Sequence, residues 1–178
     1  MPTTTPDIPL ETCPDCRCEL PAGDSIRHPY LGASASCWSL FNVLLAREYA
    51  SPALMRSVHR LTVDAYAAQH PGQQERRTIQ SVWVHLVGLH LVLERGMAND
   101  FATHTIGALT KRADTLVWLE PPGTLGPITV KNIVDAHDSA PHEEAIRRWA
   151  RSVWDAWKPH HTAIQTISSE LLATRPRR

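Results

Sequence analysis

Apolar residues recur at helical spacing in four long stretches of the chain. In the first, Trp38, Phe41, Leu44 and Leu45 fall on one face of CWSLFNVLLAREYA. In the second, Val58 to Pro71, the period is equally clear, and Ser51-Pro52 leads into it with Pro52 near the first turn. The third starts near Thr78, runs to Arg95 and closes at Gly96, and it is apolar nearly all round from Val82 to Leu93. An element with no polar face belongs at the centre of a fold. The fourth begins at Ser139, carries Pro141 in its first turn, and puts Trp149, Val153, Trp157 and His160 on one stripe. Pro159 should kink or break it beside His160. Shorter pieces lie between: a helix over 99–110, an extended piece at Leu116 to Leu119, and a helix capped by Thr129 that ends near Ala136. Leu20 to Ala35 and the Pro/Gly stretch 121–127 read as loops.

These elements predict an all-α (mainly α) fold, an up-down bundle of four to six helices with a zinc-knuckle-like segment at its N-terminal end. Residues 1–12 are expected to form a flexible tail, 13–172 a single helical domain, and 173–178 a basic tail.

Polar residues break the pattern at specific places. His59, Val63, Tyr66 and His70 share one face of the second helix, which should therefore point inward, with Asp64 directed away. His85 and His90 interrupt the most apolar helix. Each could be an ordinary hydrogen-bonded core histidine, or part of a site.

Composition narrows the choice. Lys+Arg and Asp+Glu both number 18, and the only basic cluster is the short tail with Arg175, Arg177 and Arg178, so no nucleic-acid partner is expected. No apolar run approaches the roughly 20 residues of a membrane span. The first residues lack a signal-peptide pattern, which points to the cytoplasm and to reduced thiols. Four cysteines and ten histidines then favour a metal.

The thiols give that metal a place. Cys13-Pro-Asp-Cys16 has the spacing of a knuckle turn that presents two thiolates to one cation. Ser34 or Ser36 caps the first helix, which puts Cys37 in its first turn. Antiparallel pairing about the turns near Ser51 and Gln74 brings Cys37 level with Tyr66, and Tyr66 level with Val82. Cys13, Cys16, Cys37 and His70 then converge on one end of the bundle as a zinc site, with His85 or the loop residue His28 as alternative fourth donors. Cys18 is a spare thiol.

VHRLTVDAYAAQHPG, together with CPDC, CWSLFNVLLAREY, VHLVGLHLVLERG and WARSVWDAWKPHH, resembles an uncharacterised bacterial family of small soluble proteins over most of Cys13 to His161. The resemblance implies no particular activity. The pattern it follows reads Cys-Pro-x-Cys-Gly, and here Arg17 stands in place of the Gly.

A second candidate set, for catalysis, comprises His59, Tyr66, His85 and His160, with His90 as an alternative to His85. It is similar at fold level to DinB-like bundles, which place three histidines from neighbouring helices on a metal, usually with a His-x-x-x-His pair that this chain lacks. Three functions stay open: a metal-dependent enzyme or small-molecule binder, an interaction module with structural zinc, and a redox or metal sensor using CPDCRC. The partner is a small molecule or a protein, and a homodimer is one assembly open to it.

Overall fold

The computed structural model describes residues 9–135 and 141–174, and among these it contains eight α-helices and one two-stranded hairpin. The hairpin pairs β1 (Leu10–Thr12) with β2 (Glu19–Pro21), antiparallel, with Thr12 opposite Glu19. Composition places residues 10–12 in the flexible tail, and the structure does not. They form a strand because Glu19 to Pro21 supplies the backbone partners that an isolated Thr/Pro-rich segment lacks.

Helix α1 (Ala35–Tyr49) is capped by Ser34, whose Oγ accepts the Cys37 N–H at 3.2 Å. Ser36, the other candidate cap, instead donates its hydroxyl to the Pro21 carbonyl at 2.7 Å and ties the hairpin to the helix start. The second long helix is two. α2 (Pro52–Ser57) ends and α3 (His59–Ala68) begins at Val58, whose φ of −137° and ψ of −15° leave the helical region. The bend buries Val58 completely.

α3 packs against α1, α4 (Arg76–Leu89) and α7 (His142–Ala156), while α4 touches α3, α7, the helix that follows it and the last helix of the chain, so the two helices share the centre of the fold. In α3, Ala65, Ala67 and Ala68 let neighbouring backbones approach closely, and seven of its ten residues are buried. This reverses one expectation about its faces. Val63 is half-buried, whereas Asp64, expected to point away, is fully buried. The antiparallel register of α3 and α4 is the one expected from Tyr66 beside Val82. Asp64 bonds His85 at 2.7 Å, and a Cβ at Gly88 would lie 2.1 Å from the Asp64 carboxylate.

α4 starts two residues before Thr78, which forms a reciprocal capping box with Glu75. It widens into a π-helical turn over His90–Glu94 and stops at Gly96, where φ is +60°. α5 (Asn99–Ile106) passes into a 3₁₀ segment, Gly107–Thr115. Leu116 leaves the 3₁₀ segment with extended backbone, and 116–119 pairs with no described strand. α6 (Val130–Asp135) follows Thr129, and the expected end at Ala136 and the Ser139 cap lie outside the described residues. Pro141 sits at the cap of α7 instead of inside its first turn. Pro159 interrupts the last helix as its missing N–H requires: α7 ends at Ala156, a 3₁₀ turn spans Lys158–His160, and α8 runs His161–Ala173.

Trp149, Trp154 and Trp157 fill the core. Their polar edges fasten other elements to the end of α3. Trp157 donates to the Ala68 carbonyl at 3.0 Å and Trp149 to the Gln69 side chain at 3.1 Å. Gln69 in turn donates to the Leu125 and Ile128 carbonyls, which docks the Pro/Gly loop 121–127 beside His70. No helix of the described residues is long and apolar enough to cross a membrane.

Candidate metal centre

Strand pairing closes a loop that contains only Cys13 to Cys18. The Cys13 N–H reaches the Cys18 carbonyl at 2.9 Å and the Arg17 N–H reaches the Cys13 carbonyl at 3.1 Å. To close so tightly the chain turns left-handed at Arg17, φ +62°, among the described residues the one non-glycine with positive φ. That is a conformation suited to glycine, the residue that the resembled pattern carries at this place.

The knuckle docks against two further turns. Asp15 accepts the Gly72 N–H at 2.8 Å and donates its own N–H to Gly32, whose N–H reaches the His70 carbonyl. Gly72 has φ +68°, and a Cβ there would come 2.5 Å from the Tyr30 carbonyl oxygen, so no other residue fits. Burial holds the Asp15 carboxyl above its ordinary range, partly countered by the Gly72 N–H.

This docking gathers Cys13, Cys16, Cys37 and His70, whose ligand atoms all lie within 4.8 Å of one another, and all four residues are buried. Cys37 comes from the first turn of α1 and His70 from the end of α3. Cys16 Sγ lies 3.9 Å from Cys37 Sγ, and Cys37 Sγ lies 3.4 Å from His70 Nε2. A tetrahedral ion with metal–sulfur bonds of about 2.3 Å and metal–nitrogen bonds of about 2.0 Å sets sulfur–sulfur edges near 3.8 Å and sulfur–nitrogen edges near 3.5 Å. The Cys16–Cys37 and Cys37–His70 edges already stand close to those separations.

The surroundings prepare each donor. His70 Nδ1 sits 2.7 Å from the Tyr66 carbonyl, a contact that only a protonated Nδ1 satisfies, and the Nε2 lone pair is left facing the sulfurs. The Ser34 N–H points at Cys13 Sγ from 3.4 Å. Tyr66 stacks on Phe41 and donates its hydroxyl to Cys37 Sγ at 3.6 Å, and burial, with the neighbouring sulfur charge, keeps its phenol protonated far above the usual range. Hydrogen bonding with Cys16, Cys18 and Cys37 draws the Cys13 thiol far down, while the same contacts push Cys16 and Cys37 up. Cys18 is drawn down as well, its contact with Cys13 opposing the shift and those with Cys16 and Cys37 prevailing. Without a cation the sulfurs therefore divide into two that favour the thiolate and two that resist it. A metal would neutralise several thiolates at once.

The candidate catalytic residues do not assemble. Among the described residues, the Cys/His group is the one set of three or more such donors close enough for a single ion. His59 lies 2.7 Å from the buried Glu48, and His85 lies 2.7 Å from the buried Asp64. His160 Nε2 reaches the Glu120 carbonyl at 2.7 Å. His90 is 4% exposed with neither ring nitrogen hydrogen-bonded, so it does not substitute for His85 in such a set. Tyr66 belongs to the sulfur cluster, not to these histidines. The alternative donors also find other work: His85 is held by Asp64, and His28 Nδ1 accepts the Leu31 N–H at 3.1 Å.

Sequence reasoning missed Glu48, Asp64 and His142. Glu48 is wholly buried and takes hydrogen bonds from His59, Thr62 and His142 Nε2, the last at 3.0 Å across 94 residues. No local pattern announces so distant a pairing. Asp64 had a signal, the i,i+4 partner Arg60, whose Nε lies 2.6 Å away.

A cleft of about 930 Å³ separates the outer face of the knuckle from the 121–127 loop. Cys16, Arg17 and Cys18 line one wall, Leu125 and Lys131 another.

The chain belongs to a family of unknown function, DUF5946, whose sequence profile matches residues 11–158. No curated protein and no solved structure matches it.

Proposed function

We propose that Cys13, Cys16, Cys37 and His70 hold one zinc ion whose role is structural, and that the protein is a non-enzymatic binding module built around that staple. One observation carries the reading: four protein donors, all buried, lie within 4.8 Å of one another, enough to fill a tetrahedral shell without water or substrate. A catalytic zinc keeps one position open. Three thiolates and an imidazole form a donor set that selects zinc over the hard cations magnesium and calcium. All four cysteines are free, which suits a reducing compartment such as the cytoplasm.

Zinc in this position joins the hairpin, the start of α1 and the end of α3, and so holds open one wall of the adjoining cleft. The cleft, with Lys131 and Arg17 at its walls, is where a small molecule or peptide would be bound.

Protein purified without added metal should contain about one zinc per chain by elemental analysis. A zinc content near zero in folded protein would end this reading. A fourfold-coordinated zinc–sulfur spectrum should identify three sulfurs and one nitrogen, and a bound water in place of one donor would favour a catalytic ion instead.

A further inference from the structure

The four-donor site leaves one cysteine over. Cys18 Sγ lies 3.3 Å from Cys16 Sγ, closer than the roughly 3.8 Å that separates two sulfurs on one tetrahedral zinc. His70, not Cys18, completes the group in which every donor lies near every other. The two thiols also differ from the rest in access. Cys13 and Cys37 are 0% exposed, whereas Cys16 and Cys18 are 8% and 9% exposed and both line the 930 Å³ cleft. A solute in the cleft therefore lies against the two residues that carry a sulfur outside the four-donor group and one inside it, the sulfur–sulfur contact itself being buried just beneath the wall.

We infer that Cys18 is the site at which a hydroperoxide enters this chemistry, and that its oxidation ends in a Cys16–Cys18 disulfide that removes one donor from the metal. This rests on the zinc reading above for its consequence, though not for the reactivity of the thiol pair. In the first step the Cys18 sulfur attacks the outer oxygen of the hydroperoxide. A sulfur–oxygen bond forms, the oxygen–oxygen bond breaks, and the thiol proton leaves with the alcohol or water released. Sulfur loses two electrons and the peroxide gains them. In the second step the Cys16 sulfur attacks Cys18. The sulfur–sulfur bond forms, the sulfur–oxygen bond breaks, and hydroxide leaves with the negative charge that Cys16 held as a thiolate, or water leaves with the Cys16 proton where Cys16 is a thiol. Cys13, Cys37 and His70 remain, one donor short of a closed site. The hairpin then loses one of the two thiolates through which it is fastened to the helices.

Arg17 between the two cysteines makes the test specific. Zinc-loaded full-length protein is treated with hydrogen peroxide, zinc release is followed with a colorimetric chelator, and the product is cut with trypsin without reductant. Cleavage after Arg17 separates Cys16 from Cys18 unless a disulfide joins them. The expected result is that the two peptides stay linked, that fragmentation of the linked pair places the bridge on Cys16 and not on Cys13 of the same peptide, and that linkage and zinc release rise together. Cys18→Ser should bind zinc at the wild-type stoichiometry and release it under peroxide about tenfold more slowly. A disulfide between Cys13 and Cys16 or between Cys16 and Cys37, or release from Cys18→Ser at the wild-type rate, would overturn the inference. A Cys18→Ser protein that folds but binds no zinc would overturn it too, by making Cys18 a ligand. Linked peptides from a wild-type protein that never held zinc would sustain the thiol pair and sink the metal reading instead.

Discussion

Two buried polar clusters meet the same central helix, and they are neutralised in opposite ways. At the end of α3, three sulfurs crowd around His70 and Tyr66 with few donors to share. Further back along α1 and α3, Glu48 receives His59, Thr62 and His142, and Asp64 receives Arg60 and His85. Cys37 and Glu48 are eleven residues apart on α1, roughly 16 Å along the axis. The carboxylates are each supplied with hydrogen-bond donors by the chain itself. The sulfurs are supplied with each other. A buried charge needs a counter-charge or donors of its own, so the first cluster calls for a cation from outside and the second does not.

The largest effect should follow from taking that cation away. Chelation of zinc is expected to destabilise the protein by roughly 5 kcal/mol or more, a fall of ~10–20 °C in Tm. His70→Ala should lose the metal and loosen residues 10–34, whereas His59→Ala should keep it. Thermal melts, zinc content and hydrogen exchange of the hairpin check this. Equal zinc loss from both variants would erase the distinction between the clusters, and an unchanged Tm after chelation would show that the sulfurs need no metal.

The carboxylate cluster offers the reciprocal test. Glu48→Ala leaves His59 and His142 without their shared acceptor and should cost about 3 kcal/mol. Zinc content should stay at the wild-type level. Loss of zinc from this variant would mean that the two clusters are coupled through α1 instead of independent.

The sulfur cluster was far more legible in the sequence than the carboxylate cluster, and the reason is physical. Cys13 and Cys16 announce themselves by local spacing, Cys37 by its place after a capping serine, and His70 by its level at the end of a helix opposite that cysteine. Short turns carry those levels reliably, as the Tyr66–Cys37 and Asp64–His85 contacts show. Glu48–His142 depends on where α7 lands, and that is decided by Trp149, Trp154 and Trp157 packing against α3 and its neighbours, with no turn short enough to count across. The break at Val58 escaped for a similar reason. Helical periodicity continues through it, and only burial of Val58 selects the bend. The hairpin strands, three residues each, are too short for a periodic signal.

His90 is a third polar group near this frame, and it has neither remedy. Both ring nitrogens are buried without a partner in the π-helical turn, with Arg95, Glu94 and His161 as its charged or titratable neighbours. Burial holds its pKa below the ordinary imidazole value of 6.5. The folded state therefore resists protonation more than the unfolded state does. Stability from this group is complete above pH about 6.5 and declines as the pH falls toward the lower folded value. His90→Leu should flatten that decline and raise stability at pH about 5.5 by roughly 1 kcal/mol, read from urea melts at several pH values. An unaltered pH profile would mean that the ring is already satisfied, by water for example.

The smallest effect concerns the knuckle itself. Arg17 holds a left-handed conformation that costs an L-residue roughly 1–2 kcal/mol, part of which glycine forfeits through its greater freedom when unfolded. Arg17→Gly should therefore stabilise the folded knuckle by about 0.5 kcal/mol and tighten zinc binding about twofold, because forming the site and forming the turn are one event. Arg17→Ala separates backbone from charge. It removes the guanidinium, which is exposed at the cleft, but keeps the Cβ that makes the conformation costly. Alanine should leave zinc affinity unchanged in a competition titration against a chelator of known strength. An equal gain from alanine and glycine would place the effect in the electrostatics of the guanidinium beside the metal, and the sulfur cluster would then be sensitive to charge across the cleft as well as to the shape of its loop.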